Sequence, residues 1–227
     1  MTKRSFQIIL GESIAMFIMI TLTVSSMVLI QDEKLSNILI SGMGAFSAII
    51  MSSVLAGNIS GAQANPVITF VFFLNKTIDA KTMILYFVGQ FIGANLSIIF
   101  LLFSLLEKNL PIDDLGKSNI GSLSVGFAFL VEALFTFLFS LVVIRTSRKN
   151  FLEKAAPFIN GIALMALIIA GAELTGPSMN PMRSVVPMLY AGKYGVADLW
   201  VYTVGPFLGG ALAYVVAKNL INLLEVD

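Results

Sequence analysis

The stretch GNISGAQANPVITF, Gly57 to Phe70, decides the fold. It lies within a run from Leu35 to Asn75 that contains no charged residue, yet its centre is polar, broken by glycine and closed by Asn65-Pro66. A second stretch, GAELTGPSMNPMRSVVP from Gly171 to Pro187, repeats the pattern with Asn180-Pro181. Backbone that leaves the helix at membrane depth cannot turn its unpaired N–H and C=O groups toward lipid, so both stretches must be buried in protein or line a wet cavity. Asn before Pro suits a helix start: Asn at the N-cap, and Pro at the first helical position, where a missing N–H costs nothing. Each Asn-Pro therefore predicts a half-helix.

Composition names the solvent. With 57% hydrophobic residues, 12% charged residues and a mean hydropathy of +0.92 over 227 residues, the chain cannot clothe a soluble globule in polar surface. A net charge of +1 supplies no excess of Lys and Arg for nucleic acid, so none is expected as a partner. No Cys and no His means no disulfide framework, no thiolate nucleophile and no ordinary zinc or haem ligation. No metal, no cofactor and no catalysed reaction are expected.

A crossing needs about 20 helical residues, and windows of that kind fall near residues 6–30, 37–56, 82–106, 122–145, 155–172 and 198–220. The first continues too far past Glu12 for a secretory signal and reads as a span of the mature chain. After the second and fifth windows come apolar remnants half a crossing long, beginning at Pro66 and Pro181. The expected fold is an all-α membrane protein of six spans and two re-entrant half-helices, forming one domain over residues 1–227. Both termini inside leaves nine Lys and Arg at the cytoplasmic ends of the spans (Lys3, Arg4, Lys76, Lys81, Arg145, Arg148, Lys149, Lys154, Lys218) against four outside (Lys34, Lys108, Lys117, Lys193). That asymmetry favours a multi-pass protein of the cell membrane with cytoplasmic termini.

The halves, about 1–110 and 120–227, are copies. Glu12 matches Glu132 at a spacing of 120, Asn65 matches Asn180 at 115, and Gly93 matches Gly209 at 116. Three spans per copy is an odd number, so the second copy is inverted and a site is expected at the midplane. There the positive ends of the half-helices meet, with the Asn65 and Asn180 amides toward a lumen, and together they oppose cations and protons.

These residues resemble the aquaporin, or major intrinsic protein, family over nearly the whole chain. The family's Asn-Pro-Ala boxes correspond to Asn65-Pro66-Val67 and Asn180-Pro181-Met182, both departing at the third residue. The larger Val67 and Met182 bear on the width at the midplane. Arg183 matches the family's selectivity-filter arginine, Glu12 and Glu132 its loop-anchoring glutamates, and Gly93, Ala94, Gly209 and Gly210 the small residues of close helix crossings. Gapless alignment of the boxes completes the filter with Ala45, beside which lies Phe46, and with Ile168 and Pro177. Without the aromatic and His usual in water-selective members, that filter is expected to be wider and less polar than theirs. Ser184 and Tyr202 resemble water channels, whereas Thr203 does not. Glu173 is expected to sit in water.

The resemblance implies a passive channel for water and small uncharged solutes, glycerol-like or metalloid hydroxides, that excludes ions and protons and assembles as a homotetramer. An ion-coupled secondary transporter using Glu12 or Glu132 is the alternative, since inverted repeats and broken helices occur there too. A poreless structural or adhesion protein would leave an intramembrane Arg183 without a purpose.

Overall fold

The computed structural model describes residues 2–28, 34–110, 115, 118, 120–148, 153–190 and 196–224. Within them the chain is helical: α1 (Lys3–Val28), α2 (Lys34–Ser60), the half-helix α3 (Pro66–Leu74), α4 (Ala80–Glu107), α5 (Val125–Thr146), α6 (Ala156–Gly171), the half-helix α7 (Pro181–Tyr190), the short α8 (Val196–Leu199) and α9 (Val201–Leu224). Five are long and apolar enough to cross a bilayer. The remaining expected span is α6, whose 16 residues reach about 24 Å; a 3-10 turn at Glu153–Ala155 precedes it.

Both half-helices begin as the Asn-Pro pairs predict. Asn65 caps α3 in extended conformation, its side chain accepting from Val67 N at 2.9 Å with Pro66 in the first turn, and Pro181 opens α7. On the polar side, Asp79 caps α4 by accepting from Thr82 N at 2.7 Å; the side chain and backbone N–H of Thr82 hold its carboxyl below the ordinary value.

Small residues set how closely the spans approach. A Cβ added to Gly93 on α4 would lie 2.2 Å from the Ser13 carbonyl oxygen of α1, and one added to Gly209 on α9 would lie 2.2 Å from the Ala133 carbonyl oxygen of α5. The neighbours repeat as well: Gly89 faces the Ile9 carbonyl and Gly205 the Phe129 carbonyl. Thus the α1–α4 crossing of one half is rebuilt as α5–α9 in the other, at the spacings read from sequence. The halves join where α2 packs on α6 and where α3 packs on α9. Apolar side chains such as Val54, Phe103, Leu130 and Val204 cover the outside, as lipid-facing helices require.

Because the atom met by the new Cβ at Gly93 and Gly209 is backbone, overpacking of about 1–3 kcal/mol or more is expected. Gly93→Val and Gly209→Val should each lower the yield of monodisperse protein in detergent by size-exclusion chromatography. Gly126→Ala, at a position with nothing within 4 Å, should not.

Candidate functional site: a pore through the repeat axis

Each re-entrant loop is held by one buried carboxylate. Glu12, fully buried on α1, accepts from Ser60 Oγ at 2.7 Å, Gln63 N at 3.0 Å, Ala64 N at 2.9 Å and Gln90 Nε2 at 2.8 Å. Glu132, fully buried on α5, accepts from Thr175 Oγ1 at 2.7 Å, Ser178 N at 3.1 Å and Met179 N at 3.4 Å. Ser60 and Thr175 each precede their box asparagine by five residues, so the two anchors are copies. So are the tyrosines that close them: the Tyr86 hydroxyl donates to the Ser60 carbonyl, and the Tyr202 hydroxyl to the Thr175 carbonyl at 3.1 Å. One asymmetry stands out. Gln90 also donates to Thr69 Oγ1 at 2.9 Å, tying Glu12 to α3, while its counterpart at spacing 116 is Pro206, which has no donor.

The carboxylates hold strained backbone. Ala62 and Ala64 have φ of 48° and 45°, Met179 has 51°, and the glycines Gly61 and Gly176 share the left-handed region. For a residue with a side chain this conformation costs roughly 1–2 kcal/mol. What it achieves is carbonyl direction. The Ala64 oxygen accepts from Asn180 Nδ2 at 2.8 Å and the Met179 oxygen from Asn65 Nδ2 at 2.8 Å. Each box asparagine thus grips the carbonyl just before the other box, and each amide keeps a second N–H for the lumen. Asn65 Oδ1 is spent on the α3 cap, whereas Asn180 Oδ1 is buried with no hydrogen-bond partner among the described residues.

Both asparagines line a cavity of about 670 Å³. Its wall runs along α2 from Asn37 to Gly57, an axial reach of about 30 Å at 1.5 Å per residue, which matches the hydrocarbon thickness of a bilayer. The wall is itself a repeat. At spacing 120, Met19 and Thr23 on α1 have Phe139 and Val143 on α5 as mates; at spacing 115, Ile49, Ser53 and Gly57 on α2 have Leu164 and Ile168 on α6 and Ala172 at its C-terminal end. The loops contribute Ala62 with Pro177 and Gln63 with Ser178, and the half-helices Ile68 with Arg183.

Of the expected filter residues, Arg183, Ile168 and Pro177 all line this cavity. Arg183 is 7% exposed and donates from Nη1 to Ser118 Oγ at 2.6 Å; Ser118 in turn bonds the Ser184 hydroxyl. Ser184 therefore acts on the pore by steadying the arginine. Ala45 lies on the α2 stripe between Ser41 and Ile49, but its methyl is fully covered, and the cavity meets α2 at Ser41 before it and at Ile49, Ser52 and Ser53 after it. Phe46 turns away to α6, edge-on to Phe158 at 5.3 Å and against Gly161. Neither Val67 nor Met182 lines the cavity. Val67 is fully buried in the space left by Gly210, where an added Cβ would come within 2.4 Å of it, and Met182 packs on the apolar core. Glu173, expected merely in water, lines the cavity on the Arg183 side. Tyr202 and Thr203 do not line it; Thr203 bonds the Leu199 carbonyl of its own helix turn at 2.7 Å. The residues missed from sequence are Ser60, Thr175, Tyr86, Gln90 and Ser118, of which Ser60 and Thr175 carry the spacing of the boxes, 115, and Tyr86 with Tyr202 that of Gly93 with Gly209, 116.

Inverted halves, each a bundle of three spans and a half-helix, closing around a membrane-long cavity define the architecture of a transmembrane pore. The sequence matches the family described as Major intrinsic protein over residues 1–216. It is 34% identical over 210 residues to the Glycerol uptake facilitator protein-like 6 of Lactiplantibacillus plantarum, covering 92% of this chain and 95% of that one. It is 33% identical over 180 residues to Aquaporin TIP4-4 of Zea mays, covering 78% of this chain and 69% of that one. In fold it is similar to the aquaglyceroporin from Plasmodium falciparum, with a TM-score of 0.84 over 98% of this chain and 100% of that chain at 19% identity. The chain belongs to the major intrinsic protein family and has the aquaporin fold.

Loss of the Glu12 carboxylate orphans the Gln63 and Ala64 N–H groups at about 1–3 kcal/mol each. Glu12→Leu should therefore reduce folded yield and thermal stability strongly. Glu12→Gln, which keeps one acceptor, should do so less; equal losses in the two variants would argue against anchoring.

Proposed function

We propose that this cavity is a passive pore for water and small uncharged solutes, glycerol-like polyols and metalloid hydroxides among them, and that it excludes ions and protons. The observation that carries this reading is the cavity wall itself: a membrane-long lining with the two box amides at its centre and one buried arginine to one side. The amides and the half-helix N-termini present only positive potential at the midplane, which repels cations and opposes a proton file. Arg183 adds fixed charge and N–H donors that replace hydration lost by a passing solute. Around it Ile168 and Pro177 give an apolar wall against which the carbon face of a polyol can lie. The 34% identical relative named a glycerol uptake facilitator supports a solute larger than water, and the relative named an aquaporin supports water.

The coupled-transporter reading uses Glu12 or Glu132 as the coupling site and so needs one of them to face the permeation path. Glu12 and Glu132 do not line the cavity, and both are saturated by donors from the loops and neighbouring side chains. Their role is to hold shape, and no reaction is assigned to this protein. We assign the cell membrane as its location with both termini cytoplasmic, on the nine-to-four distribution of Lys and Arg, and a homotetramer with one pore per subunit, on family likeness.

Purified protein in liposomes should pass water and glycerol above the protein-free rate by stopped-flow light scattering. Arg183→Ala should raise glycerol permeability relative to water and open a proton leak. An unchanged ratio with no leak in folded variant would remove Arg183 from the filter, and uphill solute movement driven by a proton gradient would return the reading to a transporter.

A further inference from the structure

The repeat that builds the wall also builds a second ring. An inverted repeat places mates at equal depth on opposite sides of the midplane, so the filter residues Arg183, Ile168, Pro177 and Ala45 have counterparts at spacing 115: Ile68, Ser53, Ala62 and Asn160. All four counterparts line the same cavity. The chemistry of the two rings is complementary. The Arg183 ring has one cation among apolar groups; the other has an isoleucine in place of the arginine and two neutral polar side chains, Asn160 and Ser53, in place of Ala45 and Ile168.

Asn160 is not loose in this ring. It stands in the first half of α6, and Thr146, in the last turn of α5, donates from Oγ1 to Asn160 Oδ1 at 2.8 Å. Thr146 itself is buried, and of its hydroxyl contacts the one to Asn160 is shorter than the alternative along its own helix, to the Val142 carbonyl at 3.0 Å. With its oxygen engaged, the amide has its N–H donors left for the cavity, where, besides Ser53, the ring offers the apolar Ile68 and Ala62. A fixed neutral donor, with the Ser53 hydroxyl beside an otherwise apolar wall, suits a solute that has both a hydroxyl and a carbon face.

We propose that Asn160, positioned by Thr146 and joined by Ser53, forms a second selecting station for hydroxyl-bearing neutral solutes on the side of the pore opposite Arg183. The proposal rests on the pore reading above. A polyol would leave one hydrogen-bonding ring for another, with the box asparagines between, whereas water needs neither ring's apolar wall. Asn160 then governs solute flux more than water flux.

The test is stopped-flow light scattering on proteoliposomes of the full chain, reading glycerol and water permeability for wild type, Asn160→Ala, Thr146→Val and Thr146→Ser. Asn160→Ala installs the residue that its mate Ala45 already supplies on the other side, so it is compatible with the repeat geometry. Thr146→Val frees the amide without removing it. The expected result is a several-fold fall in the glycerol-to-water ratio for Asn160→Ala, a smaller fall for Thr146→Val, and a wild-type ratio for Thr146→Ser. If wild type passes both solutes and the ratio is unchanged in folded Asn160→Ala and Thr146→Val, Asn160 is only a helix-joint residue and the second station is wrong while the pore stands. Wild type that passes water but no glycerol overturns the station for hydroxyl solutes alone. Wild type that passes neither overturns the pore reading and the station with it.

Discussion

The structure depends on a reciprocal pair of hydrogen bonds at its centre, Asn65 Nδ2 to the Met179 oxygen and Asn180 Nδ2 to the Ala64 oxygen. Neither half can place its own asparagine correctly without the other half's loop. Those carbonyls point inward only because Ala64 and Met179 sit in the left-handed region, a strain that would relax if the adjoining N–H groups were not bonded to Glu12 and Glu132. The order of dependence runs from buried carboxylate to strained loop to crossed amides. The half-helices α3 and α7 start where they do as a result, and their positive ends converge on one spot of the lumen.

Symmetry explains the frame, and its departures carry the chemistry. Mates that keep their character, such as Glu12 with Glu132, Tyr86 with Tyr202 and Gly93 with Gly209, hold the scaffold. Mates that differ lie on the wall or at the loop anchors: Ile68 with Arg183, Ala45 with Asn160, Ser53 with Ile168, Gln90 with Pro206. A pore with two identical rings would treat both directions of entry alike and would offer no single charged barrier. Concentrating the cation on one side places one large electrostatic barrier in the path and leaves the other ring free to be neutral.

Much of this was legible in the chain because it rests on local chemistry. Asn-Pro found twice at matching positions of a repeat, within apolar sequence, marks helix starts inside the membrane, and a glutamate repeated at spacing 120 in apolar spans needs buried donors. Less legible were properties that need two distant segments at once. Alignment put Ala45 on the correct stripe of α2 but could not say that its methyl would be covered, nor that Phe46 would turn to α6, because both depend on how α2 meets Gly161 and Phe158. The bulk of Val67 looked like a narrowing of the pore; it is absorbed by Gly210, 143 residues away, which lacks the Cβ that would collide with it. Asn160 carried no motif. Only its mate's place in the filter and the Thr146 hydroxyl mark it.

The central claim is that water crosses through a wall whose midplane potential stops protons. It is tested most directly by stopped-flow shrinkage of proteoliposomes loaded with a pH-sensitive dye, under an osmotic and a pH gradient together. The account predicts shrinkage well above the protein-free rate while the dye trace stays at the protein-free rate. Shrinkage no faster than empty vesicles, or a dye response that accelerates with the water flux, would contradict it.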